Sequence, residues 1–273
     1  MARTRGRAWL YLLLTALLAL VITPFVWMVL GSFKTQGELL RNPPTWLPEV
    51  WTIDNYLRLF DRLTFDTYFF NSTVVAVAVT VGNLLFSSML GYALAHLKYP
   101  GKNLIFGAVM GTLMVPGLVL FIPQFVLIVN LGLANTLPAL ILPFLVQPFG
   151  VFLMRQFFLG MPRELLEAGR IDGVGEIGIF FRVFLPMAGP AFATLGILTF
   201  LGSWNNFLWP LVVAQDNSVY TLPVALALVS TGQNQADYGL LLAGATIVVT
   251  PILVVFLLFQ RWIIEGIATT GIK

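Results

Sequence analysis

The sequence predicts an all-α polytopic membrane protein with six transmembrane helices. Of its 273 residues, 58% are hydrophobic and 10% charged, where a soluble domain carries about a quarter charged, and the mean hydropathy is +0.89. The apolar residues fall in continuous uncharged runs, not in the alternation over about ten positions that a membrane-barrel strand requires. At about 1.5 Å per residue the runs are long enough to cross about 30 Å of hydrocarbon. Six such spans leave little room for a separate soluble domain, so residues 1–273 read as a single transmembrane domain. The absence of cysteine excludes disulfides and thiolate metal sites, and a lone histidine, His96, cannot build a zinc or haem centre. A net charge of +3 spread over 27 ionised side chains makes no nucleic-acid surface.

Three arginines within Met1–Arg7 precede an uncharged run from Ala8 to Phe33, longer than the core of about 7–15 residues in a signal peptide and without a small-residue cleavage site. It reads as an uncleaved first span near 9–33. The next segment, Lys34–Asp66, holds Pro43, Pro44, Trp46, Pro48, Trp51 and Tyr56, with five acids against four bases. It is expected to be ordered against the membrane surface. The run Thr67–Ala95 gives a second span near 69–96. The run Asn103–Met154 is about twice one span, so it must fold as a hairpin turning at Gly132, Asn135 and Thr136, with spans near 104–131 and 137–158. Spans near 190–213 and 238–263 complete the set. Pro116, Pro123, Pro138, Pro143, Pro148 and Pro251 lie inside apolar runs and free backbone carbonyls, which suggests a bent, moving bundle.

Lysine and arginine near span ends set the orientation. Eleven fall on the side of both termini and the 159–189 loop, and four (Lys34, Arg41, Arg58 and Arg62) on the other. Both termini are therefore expected in the cytoplasm.

The 159–189 loop is the longest on the cytoplasmic side. Pro162 suits a first helical turn, Glu164 complements its dipole, and Arg170 stands at its end before Gly173 and Gly175. A second helix follows from Glu176 through Phe180 and Phe184 to Pro186, apolar enough to lie along the membrane surface. A charged helix, a glycine break and an interfacial helix make a protruding knob suited to a cleft on a cytoplasmic partner. The chain has no phosphate cradle of its own. The sole Gly-Lys pair, Gly101-Lys102, is followed by Asn103, and His96 stands where a P-loop has its first glycine.

The loop spells Glu167-Ala168-Gly169, three residues, Gly173, nine residues, then Val183-Phe-Leu185-Pro186. This resembles the Glu-Ala-Ala loop of ABC import permeases, with Gly169 for the second alanine, expected to loosen the helix end, and Val183 for isoleucine. The resemblance extends over nearly the whole chain. Trp51-Thr-Ile-Asp54-Asn55-Tyr56, Gly91-Tyr-Ala-Leu-Ala95, Val115-Pro-Gly117, Ile122-Pro-Gln-Phe125, Leu131-Gly-Leu133 with Asn135-Thr136, and Trp204-Asn205 with Phe207-Leu-Trp-Pro210 look like the smaller six-span permease of the maltose type. It implies the type I ABC importer permease fold, with a permease core at 67–266 carrying the coupling loop at 159–189. It also implies a non-catalytic subunit of the inner membrane, paired with a second permease, joined to two ATPase subunits and fed by an extracytoplasmic sugar-binding protein. No cofactor is expected in this chain, since ATP and magnesium belong to the partner ATPase. Glu167 would accept a basic group of that ATPase, Asp172 would cap or pair nearby, and Ala168, Gly169 and Gly173 would let the two backbones approach. The resemblance further assigns the polar outer segment, with Ser230, Thr231, Gln233 and Asn234, to contact with the open binding protein.

Thr73, Thr80, Asn83, Ser87 and Gly91 share one helix face within about 80°, which reads as helix packing in preference to pathway lining. Gly107 and Gly111 read as a packing notch. Asn83, Gln124, Trp204, Asn205 and Asn206 can hydrogen-bond and stack against a sugar; for Trp204, Asn205 and Asn206 an interfacial belt with amides spent on neighbouring helices fits equally. No span holds a central acid, which disfavours a stand-alone ion-coupled carrier, and no nucleophile–base pair lies in the membrane. Without a buried charge in the spans, the expected solute is a neutral di- or oligosaccharide, with an ABC permease for a polyol or glycerol phosphate as the alternative.

Overall fold

The computed structural model describes residues 2–62, 64–230 and 237–270, and every regular element among them is helical. The chain forms two compact units, Met1–Asp66 with Leu222–Pro251, and Thr67–Thr221 with Ile252–Lys273.

The first unit holds α1 (Ala2–Ser32), α2 (Gln36–Leu39), α3 (Asp54–Arg62), and later in the chain α14 (Leu222–Ser230) and the start of α15 (Tyr238–Thr270). The window Trp9–Ser32 is apolar enough to span and presents its side chains outward. The outer segment that follows is ordered, as the aromatic and proline content suggests, and its anchor is Lys34, a residue the sequence does not single out. Lys34 is 1% exposed, lies 4.8 Å from the centroid of Trp27, and its ammonium donates to the Thr45 hydroxyl at 3.0 Å and to the Thr45 carbonyl. Glu38 faces it at 3.8 Å and accepts the Thr45 hydroxyl at 2.5 Å and the Glu49 amide at 3.1 Å. Burial raises the Glu38 carboxyl, and the Thr45 hydroxyl, the Glu49 amide and Lys34 together outweigh it, holding the group below the ordinary carboxylate range. Arg58 bridges Asp237 at 2.6 Å and Asn55 at 2.6 Å.

The second unit is built on α4 (Phe65–His96), α5 (Lys102–Met114), α6 (Gly117–Asn130), α7 (Leu137–Ile141) with a 3₁₀ turn at Leu142–Phe144, and α8 (Pro148–Leu159). It continues through α9 (Glu164–Ile171), α10 (Glu176–Ile179), a π-helical stretch Phe180–Phe184, α11 (Leu185–Met187), α12 (Gly189–Trp204) and α13 (Leu208–Val213). Among the described residues three helices are long and apolar enough to cross a membrane unaided, and the number rises to as many as six if each of three bent pairs is one span.

The bends expected from the prolines inside the apolar runs are present, and they divide the spans into shorter helices. The 104–131 stretch breaks at Val115-Pro116 with a 107° bend between α5 and α6, because Pro116 has no N–H and the residue before a proline is driven out of the helical region; Val115 sits at φ −83°, ψ 122°. The 137–158 stretch bends by 40° before Pro148, with Gln147 extended at φ −113°, ψ 134°. The 190–213 stretch is divided between α12 and α13 by Asn205–Phe207, four residues before Pro210 deprives Asn206 of its helical donor.

Two apolar clusters hold this unit. Val75, Val79, Ile128, Leu140, Trp209 and Val213 form one, with the Trp209 indole donating to the Ala139 carbonyl at 3.0 Å. Tyr92, Met154, Phe158, Leu166, Ile179, Phe180 and Phe184 form the other. In the second, α4 and α8 come so close that a Cβ on Gly91 would lie 2.9 Å from the Arg155 backbone nitrogen.

Candidate functional site

The knob expected at 159–189 is present and rooted in the second cluster. α9 opens with the Leu166 and Glu167 amides donating to the Arg163 carbonyl at 3.0 and 3.1 Å, with Glu164 and Glu167 in its first turn and Arg170 in its last, matching the helix dipole at both ends. Leu166 is 6% exposed and pins the helix to Ile179, Phe180 and Phe184. The helix ends in a paired closure: Val174 N–H donates to the Gly169 carbonyl at 2.9 Å and Gly173 N–H to the Arg170 carbonyl at 3.1 Å. That closure needs a left-handed residue at position 173, and Gly173 has φ +74°. The chain then re-enters helix at Glu176. Leu185 N–H reaches back five residues to the Phe180 carbonyl, a π-type bond immediately before Pro186, and the helical stretch meets α12 at 82° over buried Ala188.

Glu167, Ala168, Asp172 and Gly173 are all exposed on this knob. Neither Glu167 nor Asp172 has an ion pair among the described residues; Asp172 caps α9 through its amide, which donates to the Ala168 carbonyl at 3.0 Å. Gly169 behaves differently from its expectation. It neither loosens the helix end nor offers room outward: a Cβ there would lie 2.9 Å from Ile179 Cγ1, so glycine is required by the packing of α9 on α10. The structure adds Ile171, 85% exposed, and Ile177, 71% exposed. One isoleucine four residues after Glu167 in a polar stretch was the sequence signal for it, an apolar side chain with no partner in its own chain. The exposed face is thus acidic and apolar together, on a rigid base.

The pathway candidates separate. Asn83 is 0% exposed, donates to Thr199 Oγ1 at 2.8 Å, and accepts from the Ser87 hydroxyl at 2.6 Å and the Gln147 amide at 3.0 Å. Its amide satisfies the break in the fourth span and offers nothing to a solute. The hydroxyls of Thr73 and Thr80 turn back on the Phe69 and Ala76 carbonyls of their own helix. Gly107 and Gly111 are not a notch within this chain, since a Cβ on either meets nothing. Trp204 is buried and stacks on Phe200 at 5.7 Å. Asn205 is exposed at the unwound junction, its amide donating to the Leu201 carbonyl at 3.0 Å, with Asn206 and, on α6, Gln124 half-buried. A cavity of about 530 Å³ lies between α4 and α12, but Thr80 is its one polar lining residue and none of the pathway candidates borders it. Thr231, Gln233 and Asn234 lie outside the described residues, and Ser230 is the last residue of α14.

At the other end of this unit Asn135, at φ 57°, ties the 131–136 turn to the 214–221 segment. Its side chain donates to Asp216 at 2.5 Å and accepts the Gln215 amide at 2.8 Å. The Ser218 hydroxyl and Asn135 hold the Asp216 carboxyl below its usual range.

Residues 84–268 match the family described as binding-protein-dependent transport system inner membrane component. The chain is 43% identical over 270 residues to the arabinooligosaccharides transport system permease protein AraQ of Halalkalibacterium halodurans, covering 97% of this chain and 96% of that one. It is 36% identical to the diacetylchitobiose uptake system permease protein NgcG of Streptomyces coelicolor, over 91% and 83% of the two chains. A 31% identical relative, over 91% of each chain, is the sn-glycerol-3-phosphate transport system permease protein UgpE of Yersinia pestis. In fold it matches a crystallised bacterial ABC transporter involved in the import of the acidic polysaccharide alginate, with TM-score 0.86 over 96% and 97% of the chains at 22% identity.

Proposed function

Since this chain belongs to the family of binding-protein-dependent transport system inner membrane components, among the carbohydrate-uptake ABC importer permeases, we propose that it is the membrane subunit through which a neutral di- or oligosaccharide passes, driven by ATPase subunits docked on the 159–189 knob. The observation that carries the docking half is the face made by Glu167, Ala168, Ile171 and Asp172: exposed acidic and apolar groups without partners of their own, on helices fixed by Leu166, Ile179 and Gly169. ATP and magnesium are held by those partners. A second permease and an extracytoplasmic sugar-binding protein complete the assembly, with the polar segment containing Ser230, Thr231, Gln233 and Asn234 meeting the binding protein.

The relatives named for arabinooligosaccharides and diacetylchitobiose favour an oligosaccharide. The relative named for glycerol phosphate keeps the alternative in view, yet a phosphate requires a cation to offset its desolvation. Two of the cations at the membrane boundary are otherwise engaged, and Arg182 lies exposed at the cytoplasmic end of its segment. Arg155 donates to the Leu94 carbonyl at 3.3 Å and lies 3.8 Å from the Phe106 centroid, and Lys102 donates to the Ala95 and Leu97 carbonyls at 3.0 Å each. Exposed amides at the unwound Trp204–Phe207 junction suit a neutral solute, and broken helices of this kind commonly form transporter sites.

The eleven-to-four split of lysine and arginine supports a cytoplasmic location for both termini and the knob. The absence of native cysteine makes the placement testable by single-cysteine labelling. Gly132 and Gly173 are poor sites for it, at φ +69° and +74°, so Leu131→Cys and Ile171→Cys, at 59% and 85% exposure, replace them. An impermeant maleimide should label Leu131→Cys in intact spheroplasts and leave Ile171→Cys unmodified until the membrane is opened. Labelling of position 171 from outside contradicts the topology. The docking reading is tested by affinity purification of the tagged permease, which should bring down a P-loop ATPase; its absence from a complex that still transports would overturn that reading.

A further inference from the structure

The coupling helix α9 packs on α10 through Leu166 and the close approach of Gly169 to Ile179, apolar contacts that are non-directional. Between α9 and α10 lie Gly173 and Gly175, where one helix ends before the next begins. Across that break stands one carboxylate with both oxygens committed. Glu176 Oε1 accepts from Arg170, at 2.7 Å from Nη2 and 2.8 Å from Nε, and Oε2 accepts the Tyr92 phenol at 3.0 Å. Arg170 belongs to the last turn of α9, and Tyr92 to the last turns of α4. The Tyr92 ring is 4% exposed and wedged against Phe184 at 5.1 Å and Phe180 at 5.4 Å, so its hydroxyl depends on that carboxylate for a partner. Charge-assisted bonds are directional; the Tyr92 bond is sheltered by the aromatic cluster, while the Arg170 pair, its side chains 45% and 38% exposed, is screened by solvent.

We propose that Glu176 is a positioning residue that clamps the coupling helix to the second span, gripping Arg170 with one oxygen and Tyr92 with the other, so that displacement of the knob by an ATPase is delivered to α4. A cavity of about 160 Å³ bordered by Met89, Tyr92, Leu97, Glu176, Ile177 and Phe180 lies beside the clamp, leaving the carboxylate room on the side away from Arg170. The clamp rests on the docking reading above and adds to it the route by which docking becomes movement.

The test uses the assembled complex in proteoliposomes, with uptake of a radiolabelled neutral oligosaccharide that the unaltered complex transports, reported per ATP hydrolysed. Tyr92→Phe removes a single oxygen, Glu176→Ala removes both grips, and the exchange of Arg170→Glu with Glu176→Arg preserves a charge pair and a donor for the phenol oxygen. Tyr92→Phe and Glu176→Ala should keep their ATPase and basal hydrolysis while uptake per ATP falls about tenfold, and the exchange should recover most of it. Unchanged uptake per ATP in both single variants overturns the clamp, and so does an exchange variant as uncoupled as Glu176→Ala. The docking reading fails separately, by ATPase retention in Glu167→Lys, a quantity on which the uptake ratio of the clamp variants does not depend.

Discussion

Glu167→Lys should strip the ATPase from the complex while leaving the permease inserted and folded. The side chain is exposed and has no ion pair among the described residues, so the fold loses only its interaction with the α9 dipole, about 0.3–1 kcal/mol. At a docked surface, however, reversing a charge set against a basic pocket costs about 2–5 kcal/mol, a thirtyfold or greater loss of affinity. The measurement is the molar ratio of ATPase to tagged permease after purification. Gly173 supplies the companion result. Position 173 lies in the left-handed region at φ +74° with open space around it, so what it requires is backbone conformation and not small size. Gly173→Val should distort the knob, at about 1–3 kcal/mol of strain, and weaken ATPase retention, whereas Gly173→Asn, a residue that tolerates this conformation, should retain it. Equal retention in Glu167→Lys and the unaltered chain would make the loop a passive connection.

Asn83→Leu should destabilise the permease without altering its selectivity. Leucine abandons three hydrogen bonds at a fully buried position. The most costly is the Gln147 amide, left at a helix break with only its longer 3.4 Å contact to the Ser87 hydroxyl. Interhelical side-chain bonds in membranes average about 0.6 kcal/mol because the alternative state also finds partners, while a buried unsatisfied group costs about 1–3 kcal/mol. The second figure governs here, since Gln147 N–H has no helical acceptor before Pro148. The expected loss is therefore about 2 kcal/mol for Asn83→Leu, and well under half of that for Thr199→Val, which removes one replaceable partner. Thermal unfolding of the detergent-purified complex measures it. An Asn83→Leu protein of undiminished stability but altered sugar preference would return Asn83 to the pathway.

Much of this was legible in the residues. Long uncharged runs fix the spans, and Glu164, Arg170 and Gly173 write the knob in local capping chemistry, which depends on neighbours a few positions away; Pro162 lies just ahead of the helix and not in its first turn. Proline signalled the breaks but not their size; the 107° turn at Val115-Pro116 depends on what packs against each arm. The roles of Asn83 and Gly169 were not legible, because each is decided by a residue distant in sequence or across a turn: Gln147 and Thr199 for one, Ile179 for the other. The same holds for Lys34, whose burial against Trp27 and Thr45 no pattern of spacing foretells, and for the Arg170–Glu176–Tyr92 link, which spans three helices.

The central claim is that this permease carries a neutral oligosaccharide at the expense of ATP hydrolysed by its partners. It is tested most directly by uptake of a radiolabelled oligosaccharide panel in cells with and without the permease, in competition with unlabelled disaccharides, glycerol phosphate and amino acids at equal excess. The account predicts permease-dependent uptake of at least one neutral oligosaccharide, abolished with Glu167→Lys and competed by neutral sugars alone. Uptake competed by glycerol phosphate and not by any neutral sugar would contradict it.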